Sequence, residues 1–233
     1  SIETTHHFIL ISPTGSGKTL AFLLPLIPFL NKNLLGVQAL IIVPSRELAI
    51  QIESVFKQMG TPFKINSCYG GHQVRVEEHN LSQPPAILVG TPGRLGHHIR
   101  KNNLDLSQTP ILILDEFDKS LEFGFKDEME FIIKNCQNLK KRILTSATEL
   151  KEIPNFVGLK SELILNFLPK ESVTENKNLI TKFVRVVEDD KLEALMLLLG
   201  NISEQSIIVF CNHRDAVNRI SEQLTIHKVH HGF

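Results

Sequence analysis

Short, uninterrupted apolar runs separated by helix-length segments are the feature that most narrows the possible folds of this chain. The run at 111–114 reads Ile-Leu-Ile-Leu, and similar runs occupy 8–11, 39–43, 86–89 and 143–144. A strand that is covered on both faces is apolar throughout, as in a parallel sheet flanked by helices. The segments between the runs are long enough for crossover helices. We therefore predict an α/β fold with a parallel sheet flanked by helices.

One of the crossover segments, 46–59, has a clear helical period. Its apolar residues recur at the spacing that places them on a single face of a helix. That face consists of Leu48, Ile52, Val55, Phe56 and Met59.

The composition limits the location and the partners of the protein. The 25 basic and 25 acidic residues balance, so contact with nucleic acid would require a local patch. The three cysteines lack the spacing of a zinc site or a disulfide framework, which favours a reducing compartment. The most apolar window, 22–30, contains two prolines and is too short to span a membrane. We predict a cytoplasmic protein without a membrane partner, and we interpret its paired histidines as surface or packing residues.

The chain is predicted to hold one complete domain and part of another. Residues 1–168 form the first domain, and the polar segment 169–178 is typical of a linker. About 55 residues remain at 179–233, too few for a complete α/β domain. In that remainder we predict strands at 179–187 and 206–211 and helices at 189–199 and 214–224.

The segment 12–19 reads Ser-Pro-Thr-Gly-Ser-Gly-Lys-Thr and joins the first predicted strand to a helix. Glycines allow backbone N–H groups to surround phosphate oxygens, the lysine adds charge, and the last threonine can bind Mg²⁺. The general phosphate-loop pattern has glycine where Ser12 stands. We predict that phosphate is bound by Ser12, Thr14, Gly15, Ser16, Gly17, Lys18 and Thr19.

Three acids, Asp115, Glu116 and Asp118, follow the strand predicted at 111–114. A bound triphosphate carries Mg²⁺, and Asp115 is placed to hold that ion together with Thr19, partly through water. Glu116 is then the candidate for orienting or deprotonating the attacking water. By itself the acidic run is more typical of a solvated turn, and the phosphate loop reverses that preference in favour of the nucleotide interpretation.

Six segments in order resemble the motifs of DEAD-box RNA helicases. They are 12–19, 44–49, 70–71, 91–95, 115–118 and 146–148, and the likeness continues through 121–125 and 207–212. The resemblance implies an ATP hydrolase that unwinds or remodels RNA locally, with two RecA-like domains that close over ATP, Mg²⁺ and RNA.

The resemblance also implies a role for each matching residue. Catalysis would involve Lys18, Asp115 and Glu116, while Asp118, Ser146 and Thr148 would couple the nucleotide state to domain closure. Hydroxyl, guanidinium and backbone N–H donors grip phosphates without reading bases, so little sequence specificity is expected. The RNA track would consist of Pro44, Arg46, Gly70, Gly71, Thr91, Gly93 and Arg94.

Several features depart from the family pattern. Phe117 stands where a small residue is usual, and Ser45 replaces the usual threonine. We expect the Phe117 ring to pack beside the sheet, away from the phosphate site. The adenine-recognition motif and the arginine-rich motif have no counterpart here. We therefore expect the chain to be a fragment that binds Mg-nucleotide weakly and is nearly inactive by itself.

Two other functions compete with this interpretation. A nucleotide-dependent RNA-binding or scaffolding protein could use the same cleft without productive turnover, and Phe117 together with the missing arginines motivates that alternative. A DNA-acting helicase is disfavoured because the strings at 44–49 and 91–95 are of the RNA type.

Overall fold

The chain divides into two compact units, Ser1–Glu171 and Ser172–Phe233. The computed structural model describes residues 7–71, 74–150, 152–159, 162–169, 180, 182–186, 191–202 and 206–232.

The first unit contains a seven-stranded parallel sheet. Its strands are β1 (His7–Ile11), β2 (Ala39–Ile42), β3 (Ile65–Cys68), β4 (Ile87–Gly90), β5 (Ile111–Leu114), β6 (Lys141–Ser146) and β7 (Glu162–Asn166). The spatial order is β3-β4-β2-β5-β6-β1-β7. Strands β2, β4 and β5 are buried along their whole length, as the apolar runs predicted.

Helices pack on both faces of the sheet. They are α1 (Lys18–Leu26), α2 (Arg46–Gln58), α3 (Val74–Leu81), α4 (Pro92–Arg100), α5 (Phe117–Glu122) and α6 (Lys126–Asn135). Successive strand residues point to opposite faces, so Ala39 and Ile41 join one buried cluster and Leu40 and Ile42 join the other. The first cluster includes α1 and α2, and the second includes α4 and α6. The predicted parallel sheet flanked by helices is confirmed.

The local predictions for this unit hold best in its interior. All five predicted strands are present, and the helix predicted at 46–59 is α2. The Ser45 hydroxyl caps the first turn of α2 by accepting a hydrogen bond from the Leu48 N–H at 3.3 Å. Two strands were missed, β3 and β7. Both lie at the edges of the sheet, where one side is unpaired. The middle of β3 is polar, whereas β7 does contain a short apolar run, 163–165, which the sequence prediction did not include.

The second unit contains two helices within the described residues, α7 (Leu192–Asn201) and α8 (Arg214–Ile226), near the two predicted helices. The strand predictions here are wrong: 206–211 and the described part of 179–187 form no strand. An extended apolar segment becomes a strand only when a neighbouring strand accepts its hydrogen bonds. Ile208 and Phe210 are exposed instead. The predicted linker lies, except for residue 169, outside the described residues.

Candidate functional site

The sheet brings the predicted site residues to one edge. In a parallel sheet all carboxyl ends of the strands face the same way, and ligands bind there. Strands β5, β6 and β1 are neighbours, so the phosphate loop, the acids and the 146–148 segment converge. Strands β2, β4 and β3 form the other half of the sheet, and the predicted RNA track follows them.

The phosphate loop connects β1 to α1. Gly15 and Gly17 have φ angles of 80° and 88°, a left-handed conformation that a side chain would strain. Lys18 is buried at the start of α1, and its ammonium donates to the carbonyls of Ser12 at 2.7 Å and Pro13 at 2.9 Å. The hydroxyls of Ser12 and Ser16 are 2.6 Å apart. The loop therefore holds its lysine at the N-terminus of a nine-residue helix, where an anion is favoured.

The acids at the end of β5 occupy different environments. Asp115 is buried, and it accepts a hydrogen bond from the hydroxyl of Thr145 on β6. The same hydroxyl accepts from the Glu116 N–H at 3.1 Å, and Glu116 has a positive φ of 49°. Burial raises the pKa of Asp115, although the Thr145 hydrogen bond and the charge of Lys18 oppose it.

Glu116 is half-buried, as is Asp118. Burial raises its pKa, and the neighbouring charge of Asp115 raises it further. A carboxylate with a raised pKa accepts a proton more readily than an ordinary one. Glu116 also borders the space beside the phosphate loop, so both its position and its raised pKa suit the role of a base.

The 146–148 segment is bonded to both the phosphate loop and the acidic helix. The Ser146 carbonyl accepts from the Ser12 N–H at 3.1 Å, and the Thr148 hydroxyl donates to Asp118 at 2.8 Å. Ser146 also donates to the Thr148 carbonyl at 2.6 Å. The second carboxylate oxygen of Asp118 is buried and has no hydrogen-bond partner among the described residues. Hydrogen bonds therefore connect the phosphate loop through Ser146 and Thr148 to Asp118.

Phe117 points away from this site. Its side chain is fully buried and belongs to the cluster on the α4 and α6 face, with Met129 and Ile132. It is not among the residues that line the cavity beside the phosphate loop. The expectation that the ring packs beside the sheet is confirmed.

A cavity of about 550 Å³ lies between the phosphate loop and α2. Its polar lining contains Thr14, Gly15, Gly17, Lys18, Thr19, Asp115 and Glu116, and its α2 side contains Leu48, Gln51, Val55, Gln58 and Met59. Oxygen donors are the ligands that Mg²⁺ requires, and Thr19 and Asp115 supply them to the same space. These residues fit a Mg²⁺-bound nucleotide.

The predicted RNA-track residues follow β2, β3 and β4. Pro44 is buried after β2, Gly70 and Gly71 are exposed after β3, and Thr91 and Gly93 open α4. The two arginines have specific partners in the protein. The guanidinium of Arg46 lies 5.3 Å from the centre of the Tyr69 ring, and Arg94 Nε donates to Glu77 at 2.6 Å.

Sequence reasoning missed Thr145, Glu77, Tyr69 and His98. Each of these residues contacts a partner that is distant in sequence, and no sequence motif contains both members of such a pair. His98 is fully buried, as a packing histidine would be, but it also lies within hydrogen-bond distance of Glu77, at 2.8 Å. None of the helices in the described ranges combines the length and apolarity needed to cross a membrane.

The fold and the loop define a RecA-like α/β protein with a phosphate-binding loop. The chain belongs to the DEAD/DEAH box helicase family, whose sequence pattern matches residues 1–156.

Several relatives support this assignment. An ATP-dependent RNA helicase of Yarrowia lipolytica is 35% identical over 226 residues, which are 93% of this chain and 30% of that protein. A probable ATP-dependent RNA helicase of Methanocaldococcus jannaschii is 34% identical over 225 residues, 96% of this chain and 59% of that protein. This chain therefore spans less than two thirds of the length of either relative.

Solved structures share the fold. The crystal structure of a DEAD box protein from Methanococcus jannaschii has a TM-score of 0.63 and 32% identity, covering 95% of this chain and 60% of that one. The crystal structure of a hypothetical ATP-dependent RNA helicase from Sulfolobus tokodaii has a TM-score of 0.61 and 29% identity, covering 94% of this chain and 63% of that one.

Proposed function

We propose that this chain supplies the ATP-binding part, and one side of the RNA-binding surface, of an ATP-dependent RNA helicase. The observation that carries the proposal is the shared cavity of about 550 Å³, which is lined by both the phosphate loop and the acids after β5. That volume lies within the range of small-molecule sites in proteins. Family membership and the names of the relatives support the same activity.

In the proposed mechanism each side chain has a separate task. Lys18 and the N–H groups of the loop bind the phosphates and stabilise the charge that develops during transfer. Thr19 and Asp115 would hold Mg²⁺, which neutralises phosphate charge when bound. Glu116 orients the attacking water and accepts its proton. Its raised pKa is consistent with that task.

Asp118, Ser146 and Thr148 are proposed to transmit the nucleotide state towards the RNA and the second domain. The hydrogen bonds that connect the phosphate loop to Ser146, and Thr148 to Asp118, support this role. The RNA itself would lie against the carboxyl ends of β2, β3 and β4. We propose backbone contacts from Pro44, Arg46, Gly70, Gly71, Thr91, Gly93 and Arg94, with little sequence specificity.

The remaining parts of the proposal concern the second unit and the location. Residues 179–233 are proposed to begin a second RecA-like domain, and the helices α7 and α8 support this idea. A cytoplasmic location is supported by three free thiols, two of them buried. The buried position of Phe117 weakens the alternative of a non-hydrolysing scaffold, because the ring does not obstruct the cavity.

Nucleotide binding by the chain tests the core of the proposal. Fluorescent ADP should bind the wild-type chain in a Mg²⁺-dependent manner, and Lys18→Ala should reduce the affinity at least about tenfold because a charge-assisted contact is lost. Lys119→Ala removes an exposed lysine on α5 and serves as the matched control. Equal affinity of the wild type and Lys18→Ala would contradict the proposal. Labelled single-stranded RNA should bind the wild-type chain in the presence of a non-hydrolysable ATP analogue.

A further inference from the structure

A buried carboxylate lies beneath the predicted RNA track. Glu77 is in the first turn of α3, and its side chain is only 3% exposed. It accepts hydrogen bonds from Arg94 Nε at 2.6 Å and from the Tyr69 N–H at 3.1 Å, and His98 Nε2 lies 2.8 Å from it. A buried carboxylate is costly unless donors satisfy it. Two of these groups, Arg94 and His98, come from α4, and the third, Tyr69, follows β3.

The charge state of Glu77 follows from these contacts. Burial by itself raises its pKa, but the hydrogen bonds from His98 and the Tyr69 N–H, together with the Arg94 charge, outweigh burial and lower the pKa below its usual value. Glu77 is therefore an anion that only accepts hydrogen bonds. His98 must then carry its hydrogen on Nε2 and donate it to the carboxylate.

Glu77 is linked to both arginines of the RNA track. It bonds Arg94 directly through Nε, which fixes the plane of the guanidinium. Through the Tyr69 N–H it also holds the residue whose ring lies 5.3 Å from the guanidinium carbon of Arg46. Gly71 lies two residues after Tyr69 and has a φ of 84°. A side-chain carbon at Gly71 would lie 3.3 Å from the guanidinium of Arg46.

The same cluster could be mistaken for a metal site. Ligand atoms of Cys68, Glu77 and His98 lie within 4.8 Å of one another. Both carboxylate oxygens of Glu77 already have partners, one in Arg94 and His98 and the other in the Tyr69 N–H, and the guanidinium charge would repel a cation. Burial also raises the pKa of the Cys68 thiol to about 12, so a thiolate ligand is disfavoured. The contacts favour a role in holding arginines.

We infer that Glu77 is a positioning residue for RNA binding, which holds Arg94 directly and Arg46 through Tyr69. His98 in turn orients the Glu77 carboxylate through the hydrogen bond from its Nε2. The inference rests on the proposed function, in which both arginines contact RNA phosphates. Glu77 itself does not touch the RNA, because its side chain is almost inaccessible to solvent.

Charge alone makes the opposite prediction for this residue. A carboxylate close to an RNA strand repels phosphates, so removing its charge should tighten RNA binding if Glu77 has no positioning role. If Glu77 orients the two arginines, removing its charge should weaken RNA binding because their ordered contacts are lost. The two interpretations therefore differ in sign.

The test compares Glu77→Gln with Glu78→Gln in the whole chain. Glu78 is the next residue on α3 and is exposed, so its substitution makes the same change in charge without touching the arginines. Affinity for a labelled single-stranded RNA is measured by fluorescence anisotropy over a series of salt concentrations. Glu77→Gln should weaken binding about tenfold, a loss expected for one charge-assisted contact. Glu78→Gln should leave binding unchanged or slightly tighter.

The salt dependence separates positioning from general damage. Each phosphate contact on a single strand contributes about 0.7 to the slope of log affinity against log salt. Glu77→Gln should lower that slope by about 0.7, whereas partial unfolding would lower the active fraction and leave the slope unchanged. In an Arg94→Ala background the Glu77→Gln substitution should have a smaller effect, because one of the groups that it positions is already absent.

Tyr69 provides a reporter that does not depend on RNA. It is the single tyrosine of a chain without tryptophan, so tyrosine emission arises from this position alone. Glu77→Gln should change that emission in the free protein, and Glu78→Gln should not. His98→Gln keeps an N–H donor and should retain RNA affinity better than His98→Ala.

The experimental outcomes separate a failure of the inference about Glu77 from a failure of the proposed RNA function. Circular dichroism checks folding, and if Glu77→Gln is unfolded, Glu77→Asp keeps the charge but shortens the reach and should still weaken RNA binding. A folded Glu77 variant that binds RNA as tightly as the wild type, or more tightly, overturns the inference and leaves the proposed function intact. A wild-type chain that binds nucleotide but no RNA overturns the proposed RNA function, and the inference falls with it.

Discussion

Replacing Phe117 by alanine should cost stability without costing nucleotide binding. The ring is fully buried with Met129 and Ile132. An aromatic side chain buries roughly 150–250 Å², which at about 25 cal/mol per Å² corresponds to about 4–6 kcal/mol. Measured Phe→Ala changes in protein cores cost about 3–5 kcal/mol. For a protein of this size, that loss should lower the melting temperature by roughly 6–20 °C.

The assay is urea and thermal unfolding followed by circular dichroism, together with titration of fluorescent ADP at low temperature. Phe123→Ala is the matched control, because Phe123 follows α5 directly and is 57% exposed. The control should lose less than about 1 kcal/mol. Equal losses in the two variants, or a folded Phe117→Ala variant that no longer binds nucleotide, would refute the assignment of Phe117 to the core.

Three further predictions concern the acids and the thiols. Glu116→Gln in the full-length protein should preserve ATP affinity but lower RNA-stimulated turnover by roughly a hundredfold or more, as measured by phosphate release. Burial raises the pKa of Asp115, and the hydrogen bond from Thr145 opposes that rise. Thr145→Val removes this hydrogen bond, so the pKa of Asp115 should rise further. On acidification from pH 8 to 5, the variant should therefore lose Mg²⁺-dependent ADP binding at a higher pH than the wild type. A thiol reagent at neutral pH should modify the partly exposed Cys211 before the buried Cys68, as mass spectrometry would show.

The interior of the sheet could be predicted from the sequence because burial on both faces demands apolar residues. A strand at the edge of the sheet is covered less completely, so it need not be apolar along its whole length. In β3 the residues Asn66 and Ser67 are polar and only partly buried, and every residue of β7 is exposed. The second unit shows the opposite error, because the apolar segment 206–211 has the composition of a strand but pairs with no strand among the described residues.

The candidate site was predictable where its residues form local motifs. The phosphate loop and the acids after β5 are each a continuous stretch of sequence, and the fold brings the two stretches to one cavity. Thr145 was missed because it acts on Asp115 across 30 residues, and Glu77 was missed because Arg94 is 17 residues away. Such pairs depend on the packing of helices and strands, which periodicity does not specify.

The position of β1 has a consequence for how the protein forms during synthesis. This first strand lies between β6 and β7, so Phe8 aligns with Ile143 and His7 aligns with Glu162. Contacts between such distant parts of a chain form slowly, because a long loop must close first. A ribosome must therefore deliver nearly the whole first unit before the strand that precedes the phosphate loop gains either neighbour. Until that moment the nascent chain carries its phosphate loop without the two strands that flank β1 in the sheet.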